Sequence, residues 1–239
     1  MTIQTQAIEY DLDGTTFEGT LSWDDANAGP LPGVLIAHAW GGSGDFERGR
    51  AEALAELGYA GFAADIYGKG RRGASVEENS ALMQPLLEDR ALLQARMHVS
   101  LEAARAVDVV DGSRMAAIGY CFGGLCVLDL ARTGADVSGV VSLHGLFVPP
   151  GNIKGTKITA SVLALHGWED PMVPPESVTA LAAELTEAGA DWQLHAYGHC
   201  LHAFTNPAAN DRELGTVYDA TADRRSWQAV SNFLAEVLE

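Results

Sequence analysis

The chain is poor in three features, and each shortage disfavours a class of protein. Its 239 residues include only three cysteines, an odd number that is too small for a disulfide framework. No stretch approaches the roughly 18 apolar residues of a membrane-spanning helix, and the first residues lack the basic and apolar segments of a secretory signal. Basic residues are outnumbered, since 15 Lys and Arg stand against 32 Asp and Glu and the net charge is −17. Because such an acidic surface repels phosphate backbones and anionic membranes, we expect no nucleic-acid or membrane partner. The small number of cysteines favours a cytoplasmic location, in which thiols stay reduced.

The hydrophobic pattern predicts a single α/β domain over residues 1–239. Hydrophobic residues make up 47% of the chain, enough for one large core. Apolar and polar residues alternate on both sides of the Asp13-Gly14 turn, which predicts an N-terminal antiparallel hairpin. Further strands are predicted at 34–40, 59–65, 115–119, 139–144, 161–166 and 192–197, and helices at 49–57, 86–110, 125–132, 176–188 and 226–238. This alternation indicates a mostly parallel central sheet flanked by helices, with residues 66–85 as an irregular rim over the site.

One short motif indicates a cysteine nucleophile. Cys121 follows an apolar run and is flanked by Gly119 and Gly123, which is the Gly-x-Ser-x-Gly nucleophile-elbow pattern with cysteine in place of serine. The glycines leave room for a sharp strand-to-helix turn, and the N-terminus of the following helix favours thiolate over thiol. Chance is an alternative, because the chain has 26 glycines and a free cysteine is often simply buried. The predicted strand before the motif and the predicted helix after it favour the catalytic interpretation.

An acid and a histidine follow Cys121 in the chain order of the α/β hydrolases, which is nucleophile, acid, histidine. Asp170 and His202 each lie just past the end of a predicted strand, and the carboxyl ends of parallel strands meet at one edge of the sheet. We predict that His202 accepts the thiol proton and that Asp170 orients the imidazole. The backbone N–H groups of Phe122 and Trp40 are the predicted oxyanion hole.

Other residues compete for these roles. Glu169 is an alternative acid, and His199 is an alternative base. A metal site is disfavoured, because the spacing of His195, His199, Cys200 and His202 matches no strong zinc pattern. Structural or core roles are expected for the strand histidines and for the cysteine in the helix after the elbow: His38, His144, His166, His195 and Cys126. Four arginines are candidates to bind a substrate carboxylate, although a surface charge is the ordinary role of each: Arg71, Arg72, Arg90 and Arg96.

Together these motifs resemble the dienelactone hydrolase family of cysteine α/β-hydrolases. The resemblance runs from Gly33 onward and rests on residues 34–37, 62–68, 119–124, 166–174 and 197–204. It implies the α/β-hydrolase fold and a Cys121, Asp170, His202 triad that hydrolyses esters or lactones. It implies neither a metal nor an organic cofactor.

Two departures from the family leave the substrate open. Family members carry a glutamate beside the oxyanion-hole turn, where this chain has Ala39, and an arginine four residues after the catalytic histidine, where it has Asn206. Without the glutamate, we predict that Cys121 pairs directly with His202 as thiolate and imidazolium.

The predicted function is hydrolysis of small carboxylic esters, lactones or thioesters through an acyl-cysteine, by a monomer or homodimer. Arg90, Tyr67 and Phe204 are candidate substrate contacts, with Trp40 and Phe122 as further candidate pocket walls. The alternatives are a non-catalytic or redox-sensing protein that uses Cys121, an acyltransferase, and a thiol peptidase.

Overall fold

The computed structural model describes residues 2–153 and 155–239 and is organised around a sheet of eight strands. In chain order these are β1 (Ile3–Leu12), β2 (Thr15–Asp24), β3 (Leu31–Ala37), β4 (Ala60–Ala63), β5 (Val110–Tyr120), β6 (Gly139–Leu143), β7 (Ser161–Gly167) and β8 (Trp192–Tyr197). Their order across the sheet is β1-β2-β4-β3-β5-β6-β7-β8. β2 pairs antiparallel with β1 and β4, and every other neighbouring pair is parallel. The predicted hairpin and the mostly parallel sheet are thereby confirmed.

Helices cover both faces of this sheet. They are α1 (Asp45–Glu56), α2 (Val76–Glu88), α3 (Arg90–Arg105), α4 (Phe122–Arg132), α5 (Pro175–Glu187) and α6 (Ala220–Val237). Apolar residues of α3, α4 and α5 pack on one face, and those of α1 and α6 pack on the other. Burial on both faces explains why the parallel strands inside the sheet are almost continuously apolar, whereas the edge strand β8 alternates. None of the described helices is both long and apolar enough to cross a membrane.

Several predicted boundaries are wrong. The predicted long helix at 86–110 is two helices, because the Asp89 side chain accepts the N–H of Leu92 and starts α3 as a new helix. The segment 66–85 is not irregular throughout, since α2 begins inside it with Ser75 as its cap. The signal was present, because Ser75 and Glu78 have the spacing of a capping box. β3 ends at Ala37 rather than at residue 40, so Trp40 lies in the turn beyond the strand.

The turn between β5 and α4 depends on two close backbone approaches. A Cβ atom on Gly119 would lie 2.0 Å from the carbonyl oxygen of Gly123. A Cβ atom on Gly123 would lie 2.1 Å from the carbonyl oxygen of Ala37 at the end of β3. Because only glycine fits at both positions, α4 can start directly against the carboxyl ends of β3 and β5. This contact places Cys121 at the edge of the sheet.

The substitution Gly123→Ala is expected to destabilise the fold by about 1–3 kcal/mol, because the new methyl group overlaps a strand backbone that cannot move alone. The matched control is Gly49→Ala in α1, where no atom lies within 4 Å of the added Cβ. That control should be neutral or stabilising by up to about 1 kcal/mol, since alanine favours helix. Thermal unfolding followed by circular dichroism measures both variants. Equal melting temperatures for Gly123→Ala and the wild type would contradict the packing argument.

Candidate active site

Cys121 is held in an unusual backbone conformation between β5 and α4. Its φ of 55° and ψ of −115° lie in a region that residues other than glycine rarely adopt. Its N–H donates to the carbonyl oxygen of Leu143 at 3.0 Å and to Nδ1 of His144 at 3.1 Å. The residue is partly exposed, so the thiol is accessible while its backbone is fixed.

Asp170 and His202, from two separate loops, meet beside Cys121. Nδ1 of His202 lies 2.7 Å from Oδ2 of Asp170, and both side chains are buried. The other Asp170 oxygen accepts the N–H of Met172 at 2.8 Å. Because the carboxylate accepts, Nδ1 of His202 carries the proton. Nε2 is buried and makes no hydrogen bond of good geometry within the described part of the chain, which leaves it available to the thiol.

A two-strand hairpin, β9 (Asn210–Asp211) and β10 (Thr216–Val217), holds the His202 loop. The N–H of His202 donates to the carbonyl oxygen of Gly215 at 2.9 Å, and the N–H of Val217 donates to the carbonyl oxygen of His202 at 3.0 Å. The sequence analysis missed this hairpin because strands of two residues show no periodicity. Its position fixes the imidazole ring from the backbone side.

The electrostatics favour an ion pair between Cys121 and His202. Burial raises the pKa of the Cys121 thiol, but the positive charge of His202 and the backbone N–H groups of Phe122 and Trp40 outweigh it and bring that pKa below its ordinary value. Burial likewise lowers the pKa of His202, but the charge of Cys121 and the hydrogen bond to Asp170 raise it above its ordinary value. Both shifts stabilise thiolate and imidazolium together.

The two N–H groups that act on the sulfur belong to the predicted oxyanion hole. Phe122 is the first residue of α4, so its N–H has no intrahelical partner and lies at the positive end of the helix dipole. Trp40 lies in the turn after β3, and the Tyr67 hydroxyl donates to its carbonyl oxygen at 2.9 Å. Tyr67 therefore helps to orient the peptide unit on one side of the hole.

A buried carboxylate that the sequence analysis missed holds the same turn. Glu47 of α1 accepts the N–H of Ala39 at 3.3 Å and the N–H of Gly44 at 2.8 Å. Two backbone donors, of half-buried Ala39 and buried Gly44, are thereby satisfied, and the ends of the Trp40 turn are tied to α1. The spacing of Gly44 and Glu47, three residues apart at a helix start, is the only sequence signal for this contact.

A pocket of about 410 Å³ opens onto Cys121 and His202. Its walls are mainly apolar, and the side chains that supply them are Trp40, Phe46, Met83, Leu146, Met172 and Leu214. Arg72, Gly73 and Met83 bring part of the segment 66–85 to the pocket. Besides Cys121, His144 and His202, the polar residues of the lining include Asp45, Glu47, Arg72, Asn206 and Thr216.

None of the three predicted substrate contacts, Arg90, Tyr67 and Phe204, lines the pocket. Tyr67 and Phe204 are fully buried beneath the pocket rather than in its lining. Phe122 is also buried, with its ring stacked at 5.9 Å from that of Tyr67. Arg90 is buried in a bidentate pair with Asp129 of α4, at 2.7 and 2.6 Å. That pair joins α3 to α4, and it leaves the guanidinium of Arg90 with no path to a substrate at Cys121.

The alternative acid and the alternative base do not lie beside Cys121. Glu169 and His199 pair with each other at 2.9 Å on the surface, where the His199 side chain is 95% exposed. Cys126 is buried in α4. No group of three or more His, Cys, Asp or Glu side chains within residues 2–153 and 155–239 is arranged to hold a metal ion.

Alkylation by iodoacetamide tests the predicted ion pair. In the wild type, the rate at Cys121 should rise with pH through a pKa below about 8.5, the ordinary thiol value, because the thiolate is the reactive form. In His202→Ala the cation is lost, the thiolate is no longer stabilised, and the titration should move to higher pH. Cys126 and Cys200 are internal controls, since burial raises the pKa of both. Peptide mass analysis assigns the label, and an unchanged Cys121 titration in His202→Ala would contradict the ion pair.

Comparisons with known proteins identify the family of the chain. The model of the dienelactone hydrolase family matches residues 17–238. A solved structure described as a dienelactone hydrolase-like promiscuous phosphotriesterase, P91, from metagenomic libraries is 38% identical and covers 99% of both chains with a TM-score of 0.93. The dienelactone hydrolase of Anabaena variabilis, 21% identical with a TM-score of 0.71 over 99% of both chains, shares the fold. A candidate carboxymethylenebutenolidase of Yersinia pestis is 23% identical over 223 residues, which are 89% of this chain and 80% of that protein. The protein therefore belongs to the dienelactone hydrolase family, has the α/β-hydrolase fold, and is a hydrolase.

Proposed function

We propose that the protein hydrolyses small carboxylic esters, lactones or thioesters through an acyl-cysteine on Cys121. The observation that carries this proposal is the buried His202–Asp170 pair, whose 2.7 Å contact leaves Nε2 of His202 for the partly exposed thiol. A ligand-binding or sensor protein would need neither the carboxylate nor the imidazole at these positions. A reducing compartment such as the cytoplasm would keep the thiol usable.

The first half of the reaction forms the thioester. The substrate carbonyl oxygen occupies the place between the N–H groups of Phe122 and Trp40, and the Cys121 thiolate attacks the carbonyl carbon. The negative charge that develops on the oxygen is held by these two donors. The imidazolium of His202 then gives its Nε2 proton to the leaving alkoxide as the carbon–oxygen bond breaks, and His202 becomes neutral.

The second half returns the free enzyme. Neutral His202 accepts a proton from a water molecule, which attacks the thioester carbon. The same two N–H groups hold the second oxyanion, and its collapse releases the carboxylic acid and the Cys121 thiolate. Asp170 stabilises the imidazolium in both halves through its hydrogen bond to Nδ1, without taking the proton itself.

The pocket supports a small, largely apolar substrate. Its volume of about 410 Å³ is large enough for a small molecule, and most of its lining is apolar. Arg90 is committed to Asp129, and Asn206 is uncharged. Neither residue supplies a cation to a substrate carboxylate, and Arg72 is the positively charged side chain that lines the pocket. The apolar walls favour esters and lactones with an apolar acyl or alcohol group.

A second activity, hydrolysis of phosphotriesters, is favoured by the likeness to the promiscuous phosphotriesterase at 38% identity over 99% of both chains. A neutral phosphotriester presents its phosphoryl oxygen to the N–H groups of Phe122 and Trp40 as an ester presents its carbonyl. Cys121 would form a sulfur–phosphorus bond while the bond to the leaving aryloxide breaks. Water would then cleave the sulfur–phosphorus bond with His202 as base.

Release of p-nitrophenol from short-chain p-nitrophenyl esters tests the main proposal. The wild type should turn over, and Cys121→Ala should abolish turnover. Asp170→Asn should lower kcat by up to about 10⁴-fold, because the amide cannot stabilise the imidazolium. Glu169→Gln is the matched control on the neighbouring acid and should leave kcat unchanged. Equal turnover in the wild type and Cys121→Ala would contradict the proposal, and a burst without turnover would point instead to an acyltransferase or a sensor.

The second activity is tested with a diethyl aryl phosphate, by measuring aryloxide release. Slow turnover that disappears in Cys121→Ala is expected, because the same nucleophile serves both substrates. If Cys121→Ala releases aryloxide as fast as the wild type, phosphotriester hydrolysis at this site is contradicted.

A further inference from the structure

A second histidine, His144, lies against the proposed nucleophile and has no role in the mechanism above. It follows directly after β6, is 2% exposed, and has a φ of 39°. Its ring packs edge-on against that of His202, with ring centroids 5.3 Å apart. Nδ1 lies 3.1 Å from the backbone nitrogen of Cys121, and Nε2 lies 2.8 Å from Oγ1 of Thr205.

These two contacts determine the protonation of His144. A backbone N–H can only donate, so Nδ1 must be the bare acceptor nitrogen. The single ring proton then sits on Nε2, which donates it to the hydroxyl oxygen of Thr205. A second proton on Nδ1 would face the N–H of Cys121, so the geometry requires a neutral ring.

The surroundings of His144 also keep it neutral. Burial lowers the pKa of His144 well below its ordinary value, and the positive charges of His202 and of Arg50 on α1 lower it further. Tyr120 of β5 is the other titratable group against the ring, at 6.0 Å between centroids, and burial raises the pKa of its hydroxyl, so it stays uncharged. Phe204 supplies an apolar edge at 5.1 Å.

We propose that His144 is a positioning residue that fixes the backbone of Cys121 for acyl transfer and that Thr205 selects the tautomer that does so. This inference rests on the proposed function, since it takes Cys121 as the nucleophile. The N–H of Cys121 has two acceptors, and Nδ1 of His144 adds to the carbonyl of Leu143 a second restraint on a strained φ. Both ring nitrogens of His144 are already bonded, so the ring is not a second base for the thiol.

The consequence is a distinction between two reactions of one sulfur. Attack on an ester requires the sulfur, the carbonyl carbon and the N–H groups of Phe122 and Trp40 to be aligned together. Alkylation by iodoacetamide displaces iodide at a saturated carbon and develops no oxyanion, so it depends on the thiolate but not on that alignment. Loss of the His144 contact should therefore slow the first reaction much more than the second.

The experiment compares kcat/KM for a p-nitrophenyl ester with the alkylation rate of Cys121 in three proteins: wild type, His144→Leu and His144→Asn. His144→Leu should lower kcat/KM roughly 10- to 100-fold, with the alkylation rate little changed. His144→Asn should recover most of the loss, because its Oδ1 can accept the N–H of Cys121 and asparagine tolerates a positive φ. A parallel fall of both rates, or His144→Asn as impaired as His144→Leu, would overturn the inference.

A second pair of variants applies the test without removing the histidine. Thr205→Val removes the hydroxyl that holds the Nε2 proton, and it should lower the ratio of ester cleavage to alkylation. Thr205→Ser retains the hydroxyl and should restore the ratio. Equal ratios for these two variants would overturn the role of Thr205. If the wild type shows no turnover that depends on Cys121, the proposed function itself is contradicted. If the wild type turns over but His144→Leu has the same ratio of ester cleavage to alkylation, only the role of His144 is contradicted.

Discussion

The site depends on the backbone of Cys121 being held at a positive φ where β5 meets α4. That conformation turns the chain from strand to helix within one residue, and it aims the sulfur and the first N–H of α4 at the same place. It is unfavourable in isolation and persists because its surroundings fix it. Gly123 allows α4 to pack directly against the end of β3. The N–H of Cys121 donates to the carbonyl oxygen of Leu143 and to Nδ1 of His144.

The charges around Cys121 add to the effect of its backbone conformation. The pKa shifts of Cys121 and His202 favour a thiolate and an imidazolium that stabilise each other, and the buried carboxylate of Asp170 holds Nδ1 of the imidazole. Trp40, the second donor of the proposed oxyanion hole, is fixed less directly. Glu47 ties the Trp40 turn to α1, and Tyr67 orients the Trp40 peptide from beneath. Glu47 and Tyr67 thus help to fix the place where, in the proposed reaction, negative charge develops.

The features that the sequence predicts well are those with a strong local signal. The buried parallel strands are recognisable because both faces of the sheet are covered, and the elbow is recognisable because close approach requires glycine on both sides of Cys121. Asp170 and His202 follow from chain order and from their places after strand ends, and the structure brings their side chains together.

Contacts between residues far apart in the chain could not be predicted in this way. His144 resembles any buried strand histidine until its distance to the nitrogen of Cys121 is known. Arg90 looks like a candidate substrate contact until its pairing with Asp129, 39 residues away, is seen. The β9–β10 hairpin is too short for a periodic pattern, and only its hydrogen bonds to His202 show its purpose.

The central proposal is that the acyl group passes through Cys121. Acid quenching during the turnover of a slowly deacylated ester, followed by mass analysis of the peptide that contains Cys121, tests this claim most directly. This peptide should gain the mass of the acyl group and lose it on treatment with hydroxylamine. A burst of alcohol release with Cys121 unmodified, or with the acyl group on another residue, would contradict it.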